Sequence, residues 1–324
     1  MPKLLSICNP FHNNGKAVIS LLRSLEDALR KNPELIQEVE IVLFNNASTD
    51  GFQKLAQDFA QRNETAVYHN STKLLSPVES IMQAVSYSSG KYLWIIGDDS
   101  LVQGGLQLVV ENLKSKAPDF LITNSIIINS DGNLTHRSLN SRYDELPSIE
   151  TVIASLGISL NHFFIGNHVI NRSVFQSTWS KTTTNWPHIE SMLNYLDNGG
   201  DKVCLIQSEA VVFESASNWY SVEARKHSNQ NSARNKNFFE LLEISRRSST
   251  TVPATMLQKQ SHYLAWSNII FLRAKMSPAE ILQLNTAYGL SLGAIARLYQ
   301  CKCLLFFKRH FGRLWKLAIP VRDF

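Results

Sequence analysis

A chain of 324 residues, 44% apolar and 18% charged, has the composition of an ordinary globular protein that can bury a sizeable core, with room for one large domain or a domain with an appendage. Its formal charge of +5 is mild and gathers toward the C-terminus without a recognised nucleic-acid-binding motif, which argues against a nucleic-acid partner. No apolar run approaches the roughly 20 residues that cross a bilayer, and Met1-Pro2-Lys3 leads straight into a short strand rather than a signal peptide.

Residues 4–8 read as a short apolar strand, followed by a polar loop over 9–15 that opens with Asn9-Pro10-Phe11. Residues 17–30 carry Val18, Leu21, Leu22, Leu25 and Leu29 at helical spacing. A second strand over 40–44 runs into the loop Asn45-Asn46-Ala47-Ser48-Thr49-Asp50-Gly51. The helical stretch 52–62 places Phe52, Leu55, Ala56, Phe59 and Ala60 on one face, and 66–69 is a brief third strand. Ser76-Pro77-Val78-Glu79 starts a helix with an N-cap, a proline at the first helical position and a capping box, and turns Val78, Ile81, Met82 and Val85 inward. The apolar run 92–96 then stops at Gly97-Asp98-Asp99-Ser100.

Charge is expensive inside a sheet, so Asp98 and Asp99 belong just past the carboxyl end of a buried strand, where open α/β sheets bind their ligands. The alternation of strand and helix predicts right-handed crossovers and a mostly parallel sheet, with the loops 9–15, 45–51 and 97–100 on one rim. A solvated turn that merely ends a strand explains one such loop. Three converging loops favour a nucleotide-type ligand, and two carboxylates there suit a hard divalent cation carrying phosphate oxygens. Further along, helices are expected over 105–114, 151–156, 174–178 and 186–196, strands over 120–129, 162–170 and 203–213, and a turn at 130–133. The Ser- and Asn-rich stretch 215–232 is the expected mobile loop, and the pattern from 235 onward is helical.

These motifs resemble those of family 2 glycosyltransferases of the GT-A fold, over roughly residues 3–220. Ser6-Ile7-Cys8-Asn9-Pro10-Phe11-His12-Asn13 resembles the opening strand and P-x-Y-N loop, residues 42–51 the second-strand D-[DN]-x-S-x-D signature, and Ser89-Gly90-Lys91-Tyr92 with Gly97-Asp98-Asp99-Ser100 the G-x-Y and metal-binding D-x-D variant. Trp186-Pro187-His188 and Glu190 resemble the acceptor-side segment. The layout is most similar to abequosyltransferase-like enzymes of bacterial surface-polysaccharide assembly.

The resemblance implies a Rossmann-like, mostly parallel sheet flanked by helices, forming a catalytic domain over residues 1–232, with a helical, basic and amphipathic C-terminal extension over 233–324. It implies that Asn9, Pro10, Phe11, Asn46, Asp50 and Asp98 bind the nucleotide-sugar donor and that Asp99 ligates Mg²⁺ or Mn²⁺ on its diphosphate. Asn45 stands where the family has its first acidic residue; an amide still bonds a base, but which nucleotide is left open. The E-D pair that carries the catalytic base is missing. His188 and Glu190 are the groups available, and His188 is preferred because it titrates near working pH and stands about where the aspartate belongs. The bland alternatives are a helix-start histidine bonded to backbone and a first-turn carboxylate favoured by the helix dipole.

Trp186 and Trp219 are candidate acceptor-stacking platforms, or core aromatics, and Arg225 and His227 candidate groups for closing over the diphosphate, or solvated charges. Residues 290–324 mix Leu304, Phe306, Phe307, Phe311 and Trp315 with Lys and Arg, which suits either an anionic membrane surface or packing on the domain or a second subunit. Cys8, Cys204, Cys301 and Cys303 form no paired framework or C-x-x-C site, so reduced thiols and a cytoplasmic location are expected, and the basic, apolar C-terminus adds a peripheral place on the inner membrane face. The sum is an inverting, metal-dependent, hexosyltransferase-type enzyme acting on a growing, lipid-linked glycan such as O-antigen or capsule. The competing readings are a nucleotidyltransferase, whose first loop would be richer in glycine and basic residues, and an inactive sugar-nucleotide or glycan-binding module. A dinucleotide-dependent oxidoreductase is disfavoured because no G-x-G-x-x-G follows the first strand.

Overall fold

The computed structural model describes residues 3–128, 132–137, 165–179, 182 and 186–214. All of these fall within one unit, Met1–Ser228, so the C-terminal extension lies outside the described residues, as do the expected helix over 151–156 and the loop over 215–232. In chain order the elements are β1 (Leu5–Phe11), α1 (Gly15–Lys31), the single turn α2 (Leu35–Glu38), β2 (Val39–Asn45), α3 (Gln53–Arg62), β3 (Ala66–Asn70), α4 (Pro77–Ser86), β4 (Tyr92–Ile95), β5 (Ser100–Leu101), α5 (Gly105–Lys116), β6 (Phe120–Ile128), β7 (Leu134–Arg137), a 3-10 turn (Ile165–Asn167), β8 (His168–Asn171), α6 (Arg172–Thr178), α7 (Pro187–Asp197) and β9 (Val203–Glu214).

Among the described residues these strands make a nine-stranded sheet, ordered β3-β2-β1-β4-β8-β6-β9-β5, with β7 beside β6. From β3 to β4 the pairing is parallel, as the strand–helix alternation predicts. Beyond β4 the sheet is mixed: β8 runs antiparallel to both β4 and β6, β9 is parallel to β6, and the two-residue β5 is antiparallel to β9. The mostly parallel expectation therefore holds for the first half only. Period-two patterning reports which face a side chain takes, not the direction of the strand, and β5 is too short to show any period.

The core lies between the sheet and α1, α3 and α5. Leu21 and Leu25 of α1, Ile41 and Leu43 of β2, Trp94 of β4 and Val109 of α5 belong to one buried cluster. The α1 stripe Ala17-Val18-Leu21-Leu22-Leu25-Leu29 is buried as its spacing predicts. Three inward assignments fail. Phe52 is 37% exposed, Leu55 45% and Met82 39%. α3 lies against the edge strand β3 and α4 against β1 and β2, and each buries a narrower stripe than its spacing suggests: Ala56 and Phe59 in α3, and Ser80, Ala84 and Val85 in α4. The capping box at Ser76 and Glu79 is present, with each side chain bonded to the other's backbone N–H.

At the rim where β1, β2 and β4 begin, Glu40 gathers donors. It accepts from the Ser6 hydroxyl at 2.5 Å, the Gly90 N–H at 2.9 Å, the Ser89 hydroxyl at 2.9 Å and the Ser89 N–H. Arg172 closes the cluster, donating to the Gly90 carbonyl at 2.6 Å and to Ser88 at 2.9 Å. Burial pushes the Glu40 carboxyl up, but the hydrogen bonds outweigh it and hold the group below its ordinary value of 4.5. A depressed carboxyl adds stability above the unfolded value, and that stability is lost as pH falls through the folded value. Glu40→Gln is therefore expected to be less stable than wild type at neutral pH, with the gap in urea midpoints closing as the pH drops below about 4.5. A gap constant from pH 7 to 3 would contradict this.

Candidate active site

The three polar loops do share one rim. The first strand runs further than expected, because Pro10 and Phe11 continue the pairing with β2, opposite Phe44 and Asn45. The loop that follows is stitched to the second-strand loop. The Asn13 side-chain oxygen accepts from the Thr49 N–H at 2.7 Å, the Asn13 N–H donates to the Ser48 hydroxyl at 3.1 Å, and His12 Nδ1 lies 2.7 Å from the Asn46 carbonyl. Asp50 accepts from the Gly15 N–H at 3.0 Å, placing a carboxylate at the first turn of α1, where the helix dipole favours it. Asn13 and Ala47 both take left-handed backbone (φ 47° and 55°), a conformation this tight joint requires and asparagine tolerates better than alanine.

Asn45 and Asn46 are buried and point their amides to different tasks. Asn46 clamps the Leu75 backbone, donating to its carbonyl at 3.0 Å and accepting from its N–H at 2.8 Å. Asn45 donates to the Asn70 side chain at 2.7 Å and the Tyr68 hydroxyl at 3.1 Å, and its oxygen accepts from the Ser48 N–H at 2.9 Å. Both amide protons are thus engaged, leaving Asn45 only acceptor capacity to offer a ligand. It lines an open recess of about 670 Å³ whose walls include Thr49, Gln53, Gln57, Tyr68 and Asn70, an uncharged surface of amides and hydroxyls.

Asp98 and Asp99 follow β4 on the same rim, and the chain is then tied down by β5, where Ser100 and Leu101 pair with Val212 and Val211 of β9. As residues Asp98 is exposed and Asp99 half-buried, yet enough protein crowds their carboxyl groups to raise both. Burial raises Asp98, against a hydrogen bond from the Asn14 side chain. Asp99 is raised well above the ordinary value, first by burial and then by the negative charge of Asp98. Two adjacent carboxylates in so crowded a turn disfavour each other's ionisation, which a nearby positive charge would relieve. The residues fit one: the donor set is all oxygen, and Gly166 leaves the Asp99 carboxyl room that a side chain would fill. Among the described residues no three His, Cys, Asp or Glu groups converge on one point, so phosphate and water would complete the shell.

Beside this turn, Gly166 is held by the Trp94 indole, which donates to its carbonyl at 2.7 Å. His168, the first residue of β8, lies edge to face with His188 in the first turn of α7, with ring centroids 5.0 Å apart, and the Trp186 ring centroid is 6.1 Å from that of His188. His168, His188 and Glu190 are all buried.

The Glycosyl transferase family 2 sequence profile matches residues 6–179, more than half of the chain. The chain belongs to glycosyltransferase family 2. Over 120 residues, 36% of this chain and 35% of the relative, it is 30% identical to abequosyltransferase RfbV of Salmonella typhimurium. Over 136 residues, 41% of this chain and 43% of the relative, it is 27% identical to glycosyltransferase GlyG of Streptococcus pneumoniae. The match thus spans less than half the length of either curated relative. Among solved structures, TarS of S. aureus (residues 1–349) superposes with a TM-score of 0.62 at 11% identity, covering 95% of this chain and 92% of that one. The mannosyltransferase PcManGT of Pyrobaculum calidifontis, in complex with GDP-Man and Mn²⁺, gives 0.55 at 14% identity over 98% and 84%. At such identities the likeness establishes the GT-A fold.

In this family 2 glycosyltransferase the expected donor residues divide into two groups. Asp50, Asp98 and Asp99 stand on the rim at the carboxyl ends of β2 and β4, with Pro10 partly exposed at the end of β1. Phe11 is 4% exposed and belongs to the apolar core, and Asn9 is fully buried with its amide on the β4 backbone, so neither side chain offers a surface to a donor. Trp219, Arg225 and His227 lie outside the described residues.

Sequence reading passed over Thr123-Asn124-Ser125 and Asn167. All four are buried, the first three within β6 and Asn167 at the end of the 3-10 turn, where it donates to the Ser125 hydroxyl at 3.2 Å. The β6–β9 register shifts on both sides of Asn124, the kind of irregularity that gathers next to active sites. The visible signal was three polar residues interrupting an otherwise apolar strand, Phe-Leu-Ile-Thr-Asn-Ser-Ile-Ile-Ile.

A Cβ built on Gly166 would sit 2.7 Å from an Asp99 carboxylate oxygen. Gly166→Ala should displace that carboxylate and lower donor turnover by about 10- to 100-fold in protein whose circular dichroism is unchanged. Unaltered turnover would mean that the position of Asp99 does not matter.

Proposed function

We propose that this glycosyltransferase moves a sugar from a nucleotide-sugar donor to an acceptor hydroxyl, inverting the anomeric carbon, with a divalent cation held by Asp99 and oriented with the help of Asp98. The observation that carries this reading is the pair of adjacent aspartates just past the end of β4, on the same sheet rim as an uncharged recess walled by the 45–49 loop. Bound there, Mg²⁺ or Mn²⁺ would supply positive charge to the leaving nucleoside diphosphate. Asn45 accepts a hydrogen bond from the base edge, and Asp50 and Asn46 hold the loop that carries the ribose. His188 takes the proton of the attacking hydroxyl, with Trp186 beside it on the acceptor side. The solved complexes of TarS with UDP-GlcNAc and of PcManGT with GDP-Man and Mn²⁺ support a nucleotide-sugar donor and a metal.

The acceptor in this reading is a growing, lipid-linked bacterial surface glycan of the O-antigen or capsule type, met at the inner face of the cytoplasmic membrane. The relative RfbV, an abequosyltransferase, supports it, as does the mixed basic and apolar composition of residues 290–324. No helix among the described residues is long and apolar enough to cross a membrane.

Incubating the protein with UDP-, CDP-, GDP- and dTDP-sugars, with Mn²⁺ or with EDTA, tests the activity directly. Release of nucleoside diphosphate from one class of donor, dependent on the metal, is expected. Absence of metal-dependent release from the whole panel contradicts the reading and favours an inactive binding module.

A further inference from the structure

Asn9 occupies an unusual place. It is a fully buried amide in the parallel core of the sheet, immediately before a proline. The β1–β4 ladder runs from Leu5 opposite Tyr92 to Cys8 opposite Ile95, and its last backbone bond is from the Ile96 N–H to the Cys8 carbonyl, at 3.0 Å. In a parallel ladder the next bond would come from the N–H of residue 10 to the Ile96 carbonyl. Residue 10 is proline and has no N–H to give. The Asn9 side chain supplies the missing donor: its Nδ2 reaches the Ile96 carbonyl at 2.7 Å and, with its second proton, the Gly97 carbonyl at 2.8 Å.

The same side chain carries a cost. Its Oδ1 is buried and has no hydrogen-bond partner among the described residues. An unsatisfied buried acceptor is destabilising, and a leucine of similar size would remove that acceptor. The two donated bonds end on the carbonyls that lead directly into Asp98 and Asp99, at the point where the backbone leaves the sheet and nothing else in the β1–β4 ladder holds it.

We infer that Asn9 is a positioning residue: its buried amide replaces the ladder bond lost at Pro10 and fixes the Gly97 backbone so that the Asp98 and Asp99 carboxylates present a preformed divalent-cation site. The inference rests on the metal reading proposed above and replaces direct donor contact as the role of Asn9.

The test measures Mn²⁺ affinity by electron paramagnetic resonance, together with the thermal midpoint, for wild type, Asn9→Leu and Asn9→Ser. Outer-shell groups that orient metal ligands are commonly worth about 10–100-fold in metal affinity. Asn9→Leu is expected to weaken Mn²⁺ binding by that factor and to melt below wild type, since the Ile96 and Gly97 carbonyls lose their donor while the orphaned Oδ1 disappears. Asn9→Ser, which keeps one donor in a smaller volume, should fall between the two and provides the comparison if the leucine variant does not fold. Folded variants that bind Mn²⁺ as tightly as wild type overturn the inference about Asn9 and leave the metal site standing. Wild-type protein that binds no Mn²⁺ overturns the metal reading itself, and this inference with it.

Discussion

Asp99→Asn should lower metal-dependent turnover of the nucleotide-sugar donor by about 10²–10³-fold, the usual effect of deleting one fixed electrostatic contact to developing charge. The metal-free protein should meanwhile be at least as stable as wild type. The two effects have one origin. Burial and the adjacent Asp98 both disfavour the Asp99 carboxylate, so in the absence of a cation the fold holds two like charges in a crowded turn. An amide of the same shape relieves that repulsion and loses the anionic ligand. Steady-state turnover with Mn²⁺ and urea denaturation in EDTA give the two numbers. A variant that keeps metal-dependent turnover would show that the cation binds elsewhere. One that loses activity by unfolding would show that Asp99 is structural.

The second large effect separates the two candidate bases. His188→Ala is expected to reduce glycosyl transfer by about 10²–10⁴-fold, the span of general-base contributions, with donor binding unchanged. Glu190→Gln should stay within about threefold of wild type, as expected of a first-turn carboxylate that the helix dipole favours. His188 is preferred on surroundings as well as on titration range: its ring lies near those of Trp186 and His168, next to the 3-10 turn whose Gly166 touches Asp99. Transfer rates and donor affinities of the two variants decide the matter. Loss of transfer in Glu190→Gln with activity kept in His188→Ala would reverse the assignment, and two active variants would remove the base from this helix.

What the sequence made legible was whatever local chemistry controls. The capping box at Ser76 and Glu79, the buried stripe of α1 and the stop of β4 at Gly97 depend on residues within a few positions of one another, and each stands where the pattern put it. The errors arose where a distant neighbour decides. Asn9-Pro10 carries the punctuation of a loop, yet β2 still pairs with it on one side, and on the other an amide side chain takes over from the proline. Leu55 and Met82 match helical spacing, but the strands under their helices cover only part of the predicted face. The direction of β8 and the existence of β5 depend on partners some 75 to 110 residues away, about which a window of ten residues says nothing. In the candidate site the paired aspartates were plain in the sequence. The contributions of Gly166, Asn167 and His168 were not, because only folding brings the segment 165–168 against the end of β4.

The central claim, that Asp98 and Asp99 form the divalent-cation site of a nucleotide-sugar transferase, is tested most directly by anomalous diffraction from crystals grown with Mn²⁺ and UDP, CDP or GDP. A manganese peak about 2.1 Å from an Asp99 carboxylate oxygen, bridged to a diphosphate lying between the 97–100 turn and the 45–51 loop, is the predicted result. A nucleotide bound in the recess with no manganese at Asp99, or with manganese on other residues, would contradict it.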